Sequence, residues 1–441
     1  MATASAVPAL AKRVRTRLVY PQLTIPFILL ILCFAAWGTA ANLTDVMVGV
    51  FRSIFDMSNL QAALVQFSYY GAYFLLAIPA AFINRRFGYK VGILTGLGLA
   101  AIGGLLFIPA AELLVYEFFL LALFVLAAGL SILETSANPF VIAMGPEESA
   151  TQRLNLAQAF NPVGANVGVL LGAVLILPHL TPEASRTIMD PGDLKRSQEA
   201  DLALVLGPYV GIALVLVAIW LLILVRKMPT PAERRQEQDE VTTGTLSRLW
   251  RNRHYRYGVG AQFFNVAAQV CAWTFTILYA QDVVGISAAD AGWYLQASLI
   301  VFLVGRFAMT FLLGIFRPTK LLFLMGAFGV ACCLVAMFSQ NMVGLIAVVA
   351  ISLSLSLMFP TIYGVALQGL GEDTKFGAAG LVMAILGGAL IPLIHAVLMD
   401  QVGAAFAFVV PAVCLALVTC YAIFDLRTHR DGGALVTEVS A

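Results

Sequence analysis

Charge is what this 441-residue sequence has least of: 11% of its residues are Asp, Glu, Lys or Arg. A soluble chain of this length carries roughly a quarter, so a fully water-exposed surface is excluded. The net charge is only +2, which leaves no strongly basic face and argues against nucleic acid as a partner. No G-x-x-x-x-G-K-[ST] loop is present, and no polar stretch could house a nucleotide-binding domain. That argues against an ATP-driven pump or a membrane enzyme. Cysteines are few, and Cys33, Cys271, Cys332, Cys333, Cys414 and Cys420 all fall inside apolar runs. They read as small packing residues and carry no redox information. No metal site and no cofactor are expected.

What is present is apolar: 61% of residues are hydrophobic, and they cluster into long runs. About 20 such residues span the hydrocarbon core, and a chain in lipid must satisfy its backbone polar groups internally, as helices do. Twelve spans are expected, near 24–48, 60–83, 89–109, 116–143, 153–178, 204–226, 256–281, 290–314, 319–338, 342–366, 376–399 and 403–425. Residues 1–19 are polar and basic. The apolar run after them is too long for a signal-peptide core and is expected to persist as the first helix.

Basic residues set the orientation. With the N-terminus inside, 21 of the 26 Lys and Arg fall on the cytoplasmic side, so both termini are expected there. The segment 227–255, containing "PTPAERRQEQDEVTTG", has the composition of a poorly ordered linker. The expected organisation is a tail at 1–23, a six-helix half at 24–226, the linker at 227–255, a second half at 256–425 and a tail at 426–441. The halves echo each other: "NPFVIAMGPEESATQRLNLAQAFNPVGANVG" from Asn138 parallels "FPTIYGVALQGLGEDTKFGAAGLVMAILGG" from Phe359. Pro139 and Pro360 stand at almost the same offset as Arg153 and Lys375. Such a repeat marks a transporter whose halves move about a midplane site. The expected fold class is an all-α membrane protein with 12 transmembrane helices in two pseudo-symmetric six-helix halves.

Only two of the acidic residues sit well inside spans, Asp45 and Glu134. A carboxylate at a helix centre costs about 2.5–3.5 kcal/mol on insertion scales, so such residues usually face water or a partner. Two carboxyls staggered in depth could relay a proton. They have polar company at helical spacing: Asn42 with Asp45, Glu134 with Asn138, Gln158 with Asn161, and Gln262, Asn265 and Gln269 along one face. Carboxamides suit sugar hydroxyls, although they also glue helices together. Trp37, Trp273, Phe302 and Tyr363 offer flat surfaces for the C–H face of a ring. Arg306 has three readings: a counter-ion, a substrate donor, or a lock at the cytoplasmic face. His395 is a second candidate proton carrier, with polar packing as its plainer role. Gly164, Gly168 and Gly172, and Gly387 with Gly388, predict close helix packing. The basic loops "NRRFGYK" and "FRPTK" fit gating loops, and positive-inside topology alone also explains them.

The motifs "WGTAANLTD", "ETSANPF", "GPEES", "RLNLAQAFN", "VGRF", "FRPTK", "FPTIYG" and "GEDTKFG" resemble the fucose permease branch of the major facilitator superfamily, over about residues 24–425. The general loop motif after span two is degenerate: Asn84 stands where aspartate is usual. The resemblance implies the major facilitator fold in a bacterial inner membrane, acting as a monomer without a cofactor. It implies proton-coupled uptake of L-fucose, or of glucose or galactose, with sodium or no coupling ion as rivals; a sugar-sensing receptor is the remote alternative. It assigns proton coupling to Asp45 and Glu134, and sugar contacts to Asn42, Gln158 and Asn161. Phe359 replaces a tyrosine of the permease and Ala41 an asparagine, changes that bear on which sugar is taken. Combined with the residue reading, the expected sugar site is Asn42, Asn138, Gln158 and Asn161 facing Gln262, Asn265, Gln269, Phe302, Arg306 and Phe359.

Overall fold

Proline lies within several of the long apolar helices, at Pro79, Pro109, Pro139, Pro208 and Pro360. The computed structural model describes residues 17–54, 59–113, 115–176, 179, 181, 189–228 and 244–428. Four long helices come first: α1 (Thr24–Ile54), α2 (Asn59–Phe87), α3 (Tyr89–Leu113) and α4 (Tyr116–Ile142). The fifth span is broken into α5 (Ala150–Gln158) and α6 (Phe160–Leu171), followed by a π turn, Gly172–Ile176. Then come α7 (Pro191–Val225), the short α8 (Thr245–Arg251), α9 (Arg253–Asp282), α10 (Ala288–Leu312), α11 (Pro318–Ser339) and α12 (Met342–Ala366). The eleventh span is again broken, into α13 (Thr374–Met383), a 3-10 turn and α14 (Gly387–Val402). The last helix is α15 (Val409–Thr428). Among the described residues, 12 helical segments are long and apolar enough to cross a membrane. Large apolar side chains such as Leu75, Leu170, Leu214, Val304, Phe311 and Phe338 lie on the outside. That suits lipid as the surrounding solvent.

Several boundaries differ from the sequence-based expectation. The seventh span starts at Arg253 and is preceded by α8, so the linker's last residues are helical. The sixth extends back to Pro191, because Asp190 and Pro191 form a favourable helix start. Most of the linker, 229–243, lies outside the described residues, as do 1–16 and 429–441 of the expected tails.

The fifth span breaks because Pro162 has no N–H to give to the carbonyl of Gln158. Downstream of the break, α6 lies against α1 with backbones nearly touching. A Cβ on Gly164 would collide with the Ala35 carbonyl, and one on Gly38 with the Asn161 carbonyl. Thr39 Oγ1 donates to Gly164 O at 3.0 Å across the same seam. The eleventh span repeats the device: a Cβ on Gly387 would meet the Phe263 carbonyl of α9. These close seams fix the polar residues beside them, Asn42 and Asn161 in one case and Gln262 and Asn265 in the other.

One core cluster joins both sequence halves. It runs from Leu30, Leu43, Leu97 and Phe140 to Tyr363, Ala366, Val382 and Ile385; a second, around Cys333, Ile351 and Phe408, belongs to the last six spans. At the bundle end carrying the basic loops, Asn155 Nδ2 donates to Thr361 Oγ1 at 3.1 Å and Gln152 Nε2 to Thr310 O at 3.3 Å. There Phe376 meets Phe82 edge-on at 5.1 Å, and the Arg85 guanidinium lies 5.9 Å from its ring. Toward the other end, Gln296 Nε2 donates to Asn166 Oδ1 at 3.4 Å.

Candidate functional site

Glu134 lies in α4, fully buried. Its Oε1 accepts from Asn138 Nδ2 at 3.5 Å, and Asn138 Oδ1 accepts from Gln158 Nε2 at 2.8 Å. The second carboxyl oxygen, Oε2, has no hydrogen-bond partner among the described residues. A buried acid is thus wired through two carboxamides to the residue where the fifth span breaks. Trp37 Nε1 donates to Tyr73 Oη at 2.9 Å, and Tyr73 and Tyr363 both lie within electrostatic reach of Glu134.

Asn42 and Asn161 are half-buried on the two sides of the α1–α6 seam. Asn42 Nδ2 bonds back to Gly38 O at 3.1 Å, and Asn161 Nδ2 reaches Phe34 O at 3.5 Å. The structure therefore brings Asn42, Glu134, Asn138, Gln158 and Asn161 onto adjoining elements. Asp45 is in α1, one turn beyond Asn42; its side chain lies outside the described residues.

The last six spans contribute a different set. Gln262 and Asn265 are fully buried on α9, and none of their four amide atoms has a partner among the described residues. Gln269 is half-buried two turns on. The Arg306 guanidinium sits 4.8 Å from the Phe302 ring centroid, Phe302 meets Trp273 edge-on at 5.0 Å, and Trp273 Nε1 donates to Ser352 Oγ at 3.1 Å. Arg306 Nε also has no partner among the described residues. Leaving a buried polar group unpaired costs about 1–3 kcal/mol, so this half carries donors and acceptors that its own packing does not satisfy. Phe359 is half-buried and packs against the core that joins the halves.

Some expectations change. Tyr363 is not a free platform for a sugar ring: it is fully buried, and its hydroxyl donates to Ala378 O at 3.4 Å. His395 is buried in the second core, stacked on Phe275 at 4.0 Å and edge-on to Phe408. Two acids outside the span interiors are buried as well. Asp425 is buried on α15, accepting from Thr319 Oγ1 at 2.6 Å and paired with His254 at 2.6 Å. Asp201 is buried on α7, bonded to Thr181. Both sit near span ends, where sequence position alone does not reveal burial.

Two residues at span ends, Asn84 and Arg153, hold the site's frame. Pro139 removes the donor for the Thr135 carbonyl, and Asn84 Nδ2 supplies a replacement at 3.3 Å. An ionised aspartate at position 84 could not donate that bond, so the departure from the usual loop motif has a local cause. Arg153 is fully buried and donates to the carbonyls of Val141, Ile142, Gly145, Pro146 and Leu18. It caps the end of α4, whose last carbonyls have no intrahelical donor.

A bundle with 12 membrane-length helical segments among the described residues, a buried acid–carboxamide chain in its first six spans and unpaired buried amides in its last six, has the architecture of a membrane transporter of the major facilitator fold. The profile of the Major Facilitator Superfamily matches residues 26–385. The L-fucose-proton symporter of Escherichia coli (strain K12) is 39% identical over 416 residues, covering 92% of this chain and 94% of that protein. The glucose/galactose transporter of Brucella abortus biovar 1 (strain 9-941) is 35% identical over 401 residues, 90% of this chain and 93% of that one. The crystal structure of the transporter FucP in the outward conformation is 38% identical, covers 91% of this chain and 98% of its own, and superposes with a TM-score of 0.85. The chain belongs to the major facilitator superfamily, within its fucose permease branch.

Proposed function

We propose that this protein takes up L-fucose together with a proton by alternating access. The observation that carries the reading is the chain from Glu134 through Asn138 to Gln158. Gaining or losing a proton on Glu134 changes what Asn138 must bond to, and Asn138 orients Gln158 at the break in the fifth span. Protonation and a sugar contact are thereby coupled through two hydrogen bonds. Asp45 stands one turn from Asn42 on α1 and is assigned the outer protonation step. The sugar is assigned to Asn42, Asn138, Gln158 and Asn161 on one side and to Gln262, Asn265, Gln269, Phe302, Arg306 and Phe359 on the other.

The unsatisfied amides of Gln262 and Asn265 suit a polyhydroxylated ligand, which supplies donors and acceptors together. The edge-on pair of Trp273 and Phe302 supplies an apolar surface beside the charged donor Arg306. The basic end is read as cytoplasmic, with both termini there, in a bacterial inner membrane. The protein is read as a monomer whose two halves, 24–226 and 256–425, rock about the site. A proton crossing 100 mV releases about 2.3 kcal/mol, enough for a roughly 50-fold gradient.

Glucose or galactose is the second reading. Phe359, half-buried and without a hydroxyl, offers the sugar an apolar contact, and the Brucella glucose/galactose transporter is also a relative. Uptake of labelled L-fucose, galactose and glucose into proteoliposomes, with imposed proton or sodium gradients, tests both readings. Proton-driven accumulation of L-fucose supports the first. Accumulation of only glucose or galactose replaces it with the second, and sodium-driven accumulation rejects proton coupling.

A further inference from the structure

The corner between α8 and α9 carries an exposed arrangement that the transport reading does not use. Thr245 and Leu249 turn one side of α8 inward, and Arg248 fastens the helix to Asp373 with bonds of 2.6 and 2.8 Å. On the outer side Leu246 and Trp250, one turn apart, are 71% and 70% exposed. The Arg256 guanidinium lies 5.8 Å from the Trp250 ring centroid and 5.6 Å from that of Tyr257. Tyr257 in turn meets Phe424 edge-on at 4.9 Å. Arg251 and Arg253 are exposed alongside. Among the described residues, no carboxylate pairs with Arg251, Arg253 or Arg256.

This combination has a specific chemistry. Trp and Tyr concentrate at the headgroup level of a bilayer, where a ring can be half wet. Guanidinium groups bind phosphate oxygens in a two-pronged fork, and a neighbouring ring face holds the guanidinium plane in position. The corner lies at the starts of two helices that follow the polar linker, at the basic end of the bundle. A water-exposed loop would have no use for an exposed Leu and Trp beside three arginines.

We propose that the α8–α9 corner is a binding site for an anionic phospholipid of the adjoining leaflet. Arg251, Arg253 and Arg256 hold the headgroup phosphate, and Leu246 and Trp250 rest against the glycerol and upper acyl chain. The site is connected to the contact between the halves. Asp373, bonded to Arg248, lies two and three residues before Lys375 and Phe376, which reach Tyr89 and Phe82 of the first half. A lipid held here steadies α8 and, through Asp373, that crossing.

The test uses full-length protein in phosphatidylcholine vesicles containing equal mole fractions of either brominated phosphatidylglycerol or brominated phosphatidylcholine. The Trp250 emission is taken as the difference between the protein and its Trp250→Phe variant. Brominated phosphatidylglycerol is expected to quench that emission about threefold more than the zwitterionic lipid, in keeping with attraction of clustered arginines to anionic headgroups. The combined Arg251→Gln, Arg253→Gln, Arg256→Gln variant should remove the preference; if it does not fold, Arg256→Gln alone should reduce it. Equal quenching by the two lipids overturns the proposal and assigns the arginines to solvent or to the linker's acids. A preference that survives these substitutions unchanged overturns it as well.

Discussion

The first six spans and the last six solve the same packing problem and then part ways. Each breaks its fifth or eleventh helix and seats a glycine against a neighbouring carbonyl, Gly164 on Ala35 and Gly387 on Phe263. Beside the first seam the polar groups are linked, Glu134 to Asn138 to Gln158. Beside the second, Gln262 and Asn265 are buried without partners among the described residues. The basic residues at the corresponding loops differ in the same way. Arg153 turns inward and caps its own half, whereas Lys375 extends over Tyr89 of the other half at 5.6 Å. The first half thus links a buried acid to two carboxamides, whereas in the second both amides of Gln262 and Asn265 stand wholly unpaired among the described residues.

That division can be broken most visibly at Glu134. Glu134→Gln should reduce fucose accumulation from roughly 50-fold at 100 mV to about unity, while counterflow exchange persists, as measured by tracer uptake with and without preloaded sugar. A smaller effect separates the two polar sets. Asn138→Leu strands both Glu134 and Gln158 and should lower unfolding stability by about 1–3 kcal/mol, seen as a lower Tm in detergent. Gln262→Leu removes groups that have no partner, so it should leave Tm unchanged or raised and weaken sugar binding about tenfold, equivalent to about 1.4 kcal/mol. Equal Tm losses for the two variants would contradict the division.

The seams should respond alike. Gly164→Ala and Gly387→Ala each force a Cβ into a carbonyl, at about 1–3 kcal/mol for an overpacked contact. At the loops the two basic residues should differ: Arg153→Gln lowers Tm clearly, because the end of α4 loses its cap and buried carbonyls lose their donor, and the smallest effect is a slight fall in Tm for Lys375→Gln, which gives up its contact with the Tyr89 ring.

Much of this was legible in the sequence because lipid simplifies the code. Apolar runs locate spans, and Glu134 stands out as an acid within one. Pro139 announces a carbonyl that has lost its helical donor. What replaces that donor is not legible locally, since the donor to Thr135 is Asn84 from another helix. Arg153 counted as one more basic residue near a loop, and only the packed fold shows it among the carbonyls it caps. Asp425 likewise looks like an ordinary span-end acid until Thr319 and His254 close on it. The helix α8 is too short and too polar for hydropathy to register. In each case the missing information is a partner distant in sequence.

The central claim is that sugar and proton move together through Glu134. The direct measurement is the external pH of a weakly buffered suspension of proteoliposomes when L-fucose is added. The account predicts alkalinisation with the wild-type protein and none with Glu134→Gln. Sugar-driven proton entry that persists in Glu134→Gln, or fucose uptake by the wild-type protein without any pH change, would contradict it.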